Sequence, residues 1–315
     1  MKPKRPEDYY YRKKIWDDNK LKEKYDYIRK NGFIEACKNG IIKNIRLSNS
    51  GGKDSIALLL WCKENKIDKY CNLTSQTVDT GLDFYGVNEY VKFVVDKIGI
   101  KCNIEYLEHN NYDKIFSELI NKSDEYGIPI SVRYCNSMLK QPLFSRLKNY
   151  DDYDLTLIGC RWAESSGRSK NTFLYYDRFQ INYQPILDFK LKDVLDILRK
   201  YDVPLLYPYK NITRLGCVMC PLIFLRTKLS VNCVYAEQNK TLFDYEKFVK
   251  WLQAIYETSI RDVDNHYGAL KRQIKTYIKN YERFKRYDLT KIELKENDWD
   301  IDFWYPEGME KIDGQ

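Results

Sequence analysis

The hexapeptide Ser50-Gly51-Gly52-Lys53-Asp54-Ser55 packs adjacent glycines, a lysine, a carboxylate and two hydroxyls into one short stretch. Adjacent glycines let successive backbone N–H groups converge on one point, and the positive end of a following helix reinforces such a nest. The chemistry this supports is phosphate binding, with Lys53 supplying a full charge and Ser50 and Ser55 supplying hydroxyl donors. The spacing matches neither G-x-x-x-x-G-K-[ST] nor G-x-G-x-x-G, so a Walker loop and a dinucleotide fingerprint are both excluded. A second cluster is Gly216-Cys217-Val218-Met219-Cys220-Pro221, in which the glycine permits a tight turn and the C-x-x-C spacing brings both thiolates to one metal centre. Cys135 lies far upstream, and Cys233 follows 13 positions after Cys220. Four such thiolates hold either zinc or a [4Fe–4S] cluster, and spacing does not separate the two.

The remaining cysteines divide by context. Cys37, Cys62, Cys71 and Cys102 fall in apolar helix- or strand-like runs and are expected as buried free thiols. Cys160 follows a strand and is an alternative fourth ligand. The two histidines, His109 and His266, have no metal-like spacing, which argues against a His-rich zinc centre or a Ser-His-Asp hydrolase.

Elements must hold these groups in place. Asn44-Ile45-Arg46-Leu47 reads as a strand running into the glycine turn, and Ile56 to Cys62 as the helix that follows it. Further strands are expected at Leu73–Val78, Cys102–Leu107 and Leu155–Cys160, separated by helical stretches, with another helix over Lys192–Lys200. Strands alternating with helices imply an α/β fold with a parallel twisted sheet, in which ligands sit at the carboxyl ends of the strands. The expected organisation is a helical extension over 1–40, an α/β nucleotide-binding domain over 41–210, a Cys-containing segment over 211–240 and a helical, partly basic region over 241–315. Within the last, Lys271 to Arg286 interleaves seven Lys or Arg and one Glu with Tyr277, Tyr281 and Phe284. This stretch is a candidate phosphate-binding surface with tyrosines for stacking.

Composition sets the outer bounds. The 315 residues carry 53 Lys and Arg against 45 Asp and Glu, a net charge of +8, with 43% hydrophobic and 15% aromatic residues. That is a folded, mildly basic chain, and it excludes a disordered tract, a fibrous repeat and a disulfide mini-scaffold. The longest apolar stretch, Ile56 to Cys62, is far below the roughly 20 residues of a membrane span, and no signal-peptide run opens the chain. A cytoplasmic protein with no membrane partner is expected.

The hexapeptide resembles the S-G-G-x-D-S signature of the PP-loop ATP pyrophosphatases, which have an adenine nucleotide alpha hydrolase-like fold and include tRNA thiolases and phosphoadenylyl-sulfate reductases. In most of them the loop holds the β,γ-pyrophosphate of ATP while an acceptor oxygen attacks the α-phosphate. Downstream stretches resemble the phosphoadenylyl-sulfate reductase branch: Asp79-Thr80-Gly81 its D-T-G, and Arg133-Tyr134-Cys135 with Leu139-Lys140 and Pro142 its R-x-C-x-x-x-L-K-x-x-P. Gly159-Cys160-Arg161-Trp162-Ala163-Glu164-Ser165 with Arg168 resembles its G-x-R-x-x-E-S-x-x-R. Leu195 stands where that branch usually has Trp, and one residue is missing between Lys140 and Pro142. The resemblance runs from about Asn44 to about Pro221.

The resemblance implies that ATP is bound by Ser48, Ser50 to Ser55, Asp79, Thr80, Gly81, Lys140 and Glu164. Lys53, Asp54, Arg161 and Arg168 are its candidate catalytic residues. Asp54 and Asp79 are the candidate Mg²⁺ ligands, although Asp79 equally suits a helix cap, and Arg161 and Arg168 suit either phosphate oxygens or a surface pair with Glu164. Cluster-bearing relatives, the assimilatory adenylyl-sulfate reductases and the Dnd-type DNA phosphorothioation C-subunit, join an upstream cysteine to a downstream C-x-x-C. This implies a [4Fe–4S] cluster on Cys135, Cys217, Cys220 and Cys233, with Zn²⁺ as the alternative.

The function expected is therefore adenylation of an acceptor oxygen followed by its replacement with sulfide or persulfide sulfur. The acceptor is a nucleic acid, DNA before tRNA, with a cysteine desulfurase as sulfur donor in a multi-subunit modification complex. The alternatives are a phosphoadenylyl-sulfate or adenylyl-sulfate reductase, disfavoured because no cysteine follows Cys233, a tRNA thiolase, and a zinc-stabilised nucleic-acid-binding scaffold without catalysis.

Overall fold

The computed structural model describes residues 19–78, 86–107, 117, 120–121, 152–165, 167–177, 180–211, 231–238, 245–294 and 304–305. Two helices, Asn19–Asn31 (α1) and Phe33–Lys38 (α2), precede strand Asn44–Ser48 (β1). There follow Lys53–Glu64 (α3), Ile67–Tyr70 (α4), Asn72–Val78 (β2), Val87–Ile98 (α5) and Cys102–Leu107 (β3). After these come Leu155–Ile158 (β4), Leu174–Asp177 (β5), Gln180–Tyr183 (β6) and Leu191–Lys200 (α6). The chain divides into one unit of residues 1–77, 88–106 and 148–205 and another of 78–87, 107–147 and 206–315.

The first unit is built on a six-stranded sheet in the order β3-β2-β1-β4-β6-β5. Central β1 pairs parallel with both β2 and β4, and β4 pairs parallel with β6, as crossover helices require. The outer strand β5 runs antiparallel to β6. The two are separated by residues 178 and 179 alone, too few for a crossover, so the mostly parallel sheet that the sequence implied ends in one antiparallel edge strand.

Register decides what each face carries. Ile45 lies level with Leu73 on one side and Leu155 on the other, and Leu155 with Ile181, giving an apolar row. Phe33 of α2 stacks on Tyr183 at 4.6 Å, and α3 is buried from Lys53 through Leu60, as a helix apolar nearly all round must be. The alternate residues Arg46, Thr74, Gln76, Thr156 and Asn182 are polar yet also buried. Arg46 meets the cost of that burial by donating to Thr156 Oγ1 at 3.0 Å and Gln180 Oε1 at 2.7 Å.

In the second unit, the described helices are Val231–Gln238 (α7), Tyr245–Asp262 (α8) and Gly268–Arg286 (α9). Phe248, Trp251, Leu252 and Ile255 of α8 are buried, as are Ile274, Tyr277, Tyr281 and Phe284 of α9. Tyr277 donates its hydroxyl to Leu252 O at 3.1 Å. The rings that the sequence offered for stacking on α9 therefore face inward. Their i, i+4, i+7 spacing is a core stripe, and that packing overrides the stacking role. Among the described residues no helix is long and apolar enough to cross a membrane.

Candidate active site

The end of β1 runs straight into the glycine loop, and the loop into α3. Asn49 fixes the turn, since its Oδ1 accepts the Gly51 N–H at 2.9 Å, its Nδ2 donates to Ser75 Oγ at 3.0 Å, and its backbone N–H donates to Gln76 O at 3.0 Å. Gly51 sits at φ +65°, left-handed space that a side chain disfavours. Gly52 is the N-cap of α3, and no side chain caps that terminus. The Ser55 hydroxyl donates to Gly52 O at 2.8 Å and accepts the Ser50 N–H at 3.3 Å, which stiffens the loop from within. Ser48 and Ser50 are exposed. An uncapped helix terminus behind a left-handed glycine is an anion site by geometry and by dipole.

Beneath the loop lies a charged trio. Asp54 Oδ2 takes Lys53 Nζ at 3.0 Å, and its Oδ1 takes Arg161 Nε at 2.5 Å. Lys53 is 4% exposed, Asp54 8% and Arg161 4%. Two cations on one carboxylate leave one net positive charge buried beside the uncapped helix, which suits an incoming polyanion. Arg161 also donates through Nη1 to Phe189 O at 3.4 Å. Both oxygens of Asp54 face cations, so in this state the carboxylate holds Lys53 and Arg161 in place.

Glu164 secures the next turn. Its Oε2 accepts the Arg161 backbone N–H at 3.1 Å and pairs with Arg168 Nη1, so Arg168 adopts the pair with Glu164 that the sequence left open. Cys160, buried, accepts from Asn171 Nδ2 at 3.3 Å. Asn49 is the residue that sequence reasoning passed over, and Gly159, quoted there only as part of a motif, gains a physical reason here. A Cβ on Gly159 would lie 2.7 Å from Asp54 O and 3.0 Å from Ser55 Cα, so only glycine lets the end of β4 touch the first turn of α3. That glycine standing just before Cys160-Arg161 was the available signal.

A nucleotide fits what is present. At the end of β2, one residue past the Gln76 that anchors Asn49, the Thr77 hydroxyl is buried with no hydrogen-bond partner among the described residues, as is Asn88 Oδ1. Orphaned buried polar atoms are costly, and a bound polar ligand is one way to satisfy them. Asp79-Thr80-Gly81, Lys140, Cys135, Cys217 and Cys220 lie outside the described residues, and Cys233 lies on α7 with its side chain outside them. Among the described residues no group of three or more His, Cys, Asp or Glu side chains is arranged to hold a metal.

The four cysteines expected as free thiols are free, with Cys37, Cys62 and Cys71 buried and Cys102 half-buried. Burial pushes the Cys62 thiol well up and the Cys102 thiol up to about 12. A hydrogen bond between Cys37 and Cys71 raises the first and lowers the second.

The family signature described as the phosphoadenosine phosphosulfate reductase domain matches residues 44–223. The chain is 30% identical over 235 residues to the uncharacterized protein MJ0066 of Methanocaldococcus jannaschii, covering 72% of this chain and 44% of that protein. It thus spans less than half the length of this relative. Among solved structures it is similar to the U34-tRNA thiolase NcsA of Methanococcus maripaludis with its [4Fe-4S] cluster, at TM-score 0.41 and 17% identity over 88% of this chain and 82% of that one. It is also similar to the phosphoadenylyl-sulfate reductase of Candida auris in its phosphate complex, at TM-score 0.38 and 12% identity over 64% and 90% of the two chains.

Proposed function

This chain belongs to the phosphoadenosine phosphosulfate reductase domain family, and from that premise we propose that it is an ATP pyrophosphatase that activates an acceptor oxygen for replacement by sulfur. The observation that carries the reading is the loop from Asn49 to Ser55, an uncapped helix terminus backed by Lys53 and Arg161 on one buried carboxylate. In the first step the acceptor oxygen attacks the α-phosphorus of ATP, the bond to the α,β-bridging oxygen breaks, and pyrophosphate departs with the electron pair. The first-turn amides of α3 and the two cations oppose the charge that gathers on pyrophosphate. Asp54 keeps those cations fixed before the nucleotide arrives, so little reorganisation is needed during the reaction. In the second step hydrosulfide attacks the activated centre and AMP leaves.

The acceptor we propose is a non-bridging phosphate oxygen of DNA, ahead of tRNA, with sulfur delivered by a cysteine desulfurase within a multi-subunit modification complex. Cys135, Cys217 and Cys220, with Cys233 as fourth ligand, are the thiolates we propose for a [4Fe–4S] cluster, Zn²⁺ being the alternative. When bound, such a cluster supplies a place to hold sulfide. ATP arrives with Mg²⁺, for which Asp79 is the remaining carboxylate, since Asp54 is engaged.

The test is to incubate the protein with ATP, a DNA oligonucleotide and sulfide, and to measure pyrophosphate and oxygen-to-sulfur exchange by mass spectrometry. AMP and pyrophosphate in equal amounts with a sulfur-bearing oligonucleotide are expected. Iron analysis of the Cys217→Ser variant should show most iron lost, and full retention would remove Cys217 from the ligand set. A second reading, reduction of a sulfonucleotide to sulfite, is favoured by the description of the family itself. Sulfite released from phosphoadenylyl sulfate and a thiol reductant, with no pyrophosphate from ATP, would put that reading first.

A further inference from the structure

Helix α9 carries seven cations and one acid between Gly268 and Arg286. Two of the cations are engaged nearby, Lys271 with Asp264 at 3.0 Å and Lys285 over the rings of Tyr256 and Tyr281 at 5.5 and 5.9 Å. The one acid, Glu282, accepts the Tyr256 hydroxyl at 3.2 Å. The other five, Arg272, Lys275, Lys279, Arg283 and Arg286, are exposed, and none has an ion pair among the described residues. Their spacing of three, four, four and three residues keeps them within an arc of roughly 80° over about 21 Å of helix. Like charges at these spacings repel one another along the helix. That repulsion is a cost which phosphates laid along the stripe would relieve.

The ends of the stripe carry the other half of the pattern. Tyr267, the N-cap of α9, is 84% exposed, and Tyr287, its C-cap, is 56% exposed. Large rings so open to water are flat platforms on which a base can stack, and they bracket the cations about 30 Å apart. The apolar face of the same helix is already spent against α8 through Ile274, Tyr277, Tyr281 and Phe284, so it has no apolar face left to insert into a lipid surface.

We propose that this face of α9 binds a single-stranded nucleic acid, the phosphates along Arg272, Lys275, Lys279, Arg283 and Arg286 and unpaired bases on Tyr267 and Tyr287. A duplex would offer phosphates but hide the base faces from the two rings. The inference deepens the functional reading by giving its acceptor a binding surface, and it rests on that reading for its biological sense. Its test uses no ATP and no sulfur, so the two fail separately. Pyrophosphate release with no oligonucleotide binding would sink the surface alone, and binding with no pyrophosphate release would sink the enzyme reading alone.

The experiment is fluorescence anisotropy of the full chain with a labelled 12-nucleotide single strand of mixed sequence, titrated across salt concentrations. Binding with a log–log salt slope of about −3.5 is expected for five phosphates neutralised on a single strand. The double variant Lys279→Gln with Arg283→Gln should flatten that slope to about −2.1 without altering the circular dichroism spectrum, because both side chains are exposed. Tyr267→Ala should weaken binding about tenfold and leave the slope unchanged, since stacking is not an ionic contact. DNA and RNA of the same sequence should bind alike, since the groups named read phosphates and base faces. Absence of binding at low salt, a slope unmoved in the double variant, a strict requirement for the RNA sugar, or tighter binding to duplex or to phosphatidylserine vesicles would each overturn the proposal.

Discussion

Positive charge is used in opposite ways at two places in this molecule. Lys53 and Arg161 are buried and locked onto Asp54, whereas Arg272, Lys275, Lys279, Arg283 and Arg286 stand in water with no ion pair among the described residues. The first arrangement fixes geometry at a high desolvation cost that a close carboxylate offsets. The second costs little to expose, holds no fixed geometry and is weakened by salt. A reaction centre needs the former, because charge developing at one atom must be met at once. A surface that captures a long polyanion works with the latter.

Experiments that separate the two begin with the largest effect. Arg161→Met should destabilise the fold by about 3–5 kcal/mol in urea titrations, because it removes one partner from a buried ion cluster. Arg272→Met should stay within about 0.5 kcal/mol of the parent, as exposed substitutions do. Equal costs at the two positions would erase the contrast. Lys53→Ala also removes one buried partner of Asp54, so it should cost stability on a scale similar to Arg161→Met in urea titrations; in the fraction that remains folded, ATP turnover should fall by about 10²–10³-fold, as when one donor to a developing anion is removed. Unchanged turnover would detach the loop from the chemistry. Gly159→Ala should cost about 1–3 kcal/mol, since the added Cβ meets backbone of Asp54 and Ser55 on a rigid helix rather than a flexible side chain.

Smaller effects sharpen the picture. Raising salt from about 50 to about 200 mM should weaken oligonucleotide binding about a hundredfold. The same change should leave the urea cost of Arg161→Met nearly intact, because buried pairs are screened little. Finally, Cys62 and Cys102 should resist iodoacetamide at neutral pH in the folded protein. Their raised pKa keeps them as thiols, reactivity appears only as pH climbs toward the raised value, and the thiolate is the nucleophile. Rapid labelling of both at neutral pH would contradict their burial.

Much of the site could be read from residue order. The hexapeptide from Ser50 to Ser55 is local, so its turn and its place before α3 follow from two glycines and the apolar helix behind them. Cys102–Leu107 was legible as a strand for the same reason. What stayed hidden depends on contacts between distant segments. That Asp54 spends both oxygens on Lys53 and Arg161 follows from β4 lying beside β1, a pairing across more than 100 residues. The hairpin of β5 and β6 was missed although Phe173-Leu174-Tyr175-Tyr176 is apolar and aromatic: each strand is only four residues long, and what defines them is their pairing with each other and with β4. On α9 the cations were legible by count, but only the fold shows that Tyr277 and Tyr281 turn inward while Tyr267 and Tyr287 remain in water.

The most direct check of the nucleotide site is a crystal structure of the full chain with the non-cleavable α,β-methylene analogue of ATP. The account predicts the β- and γ-phosphates within hydrogen-bonding distance of the backbone amides of Gly51 to Ser55, beside Lys53 and Arg161 still held by Asp54. A triphosphate bound elsewhere, with this loop and the Asp54 trio unchanged and untouched, would contradict it.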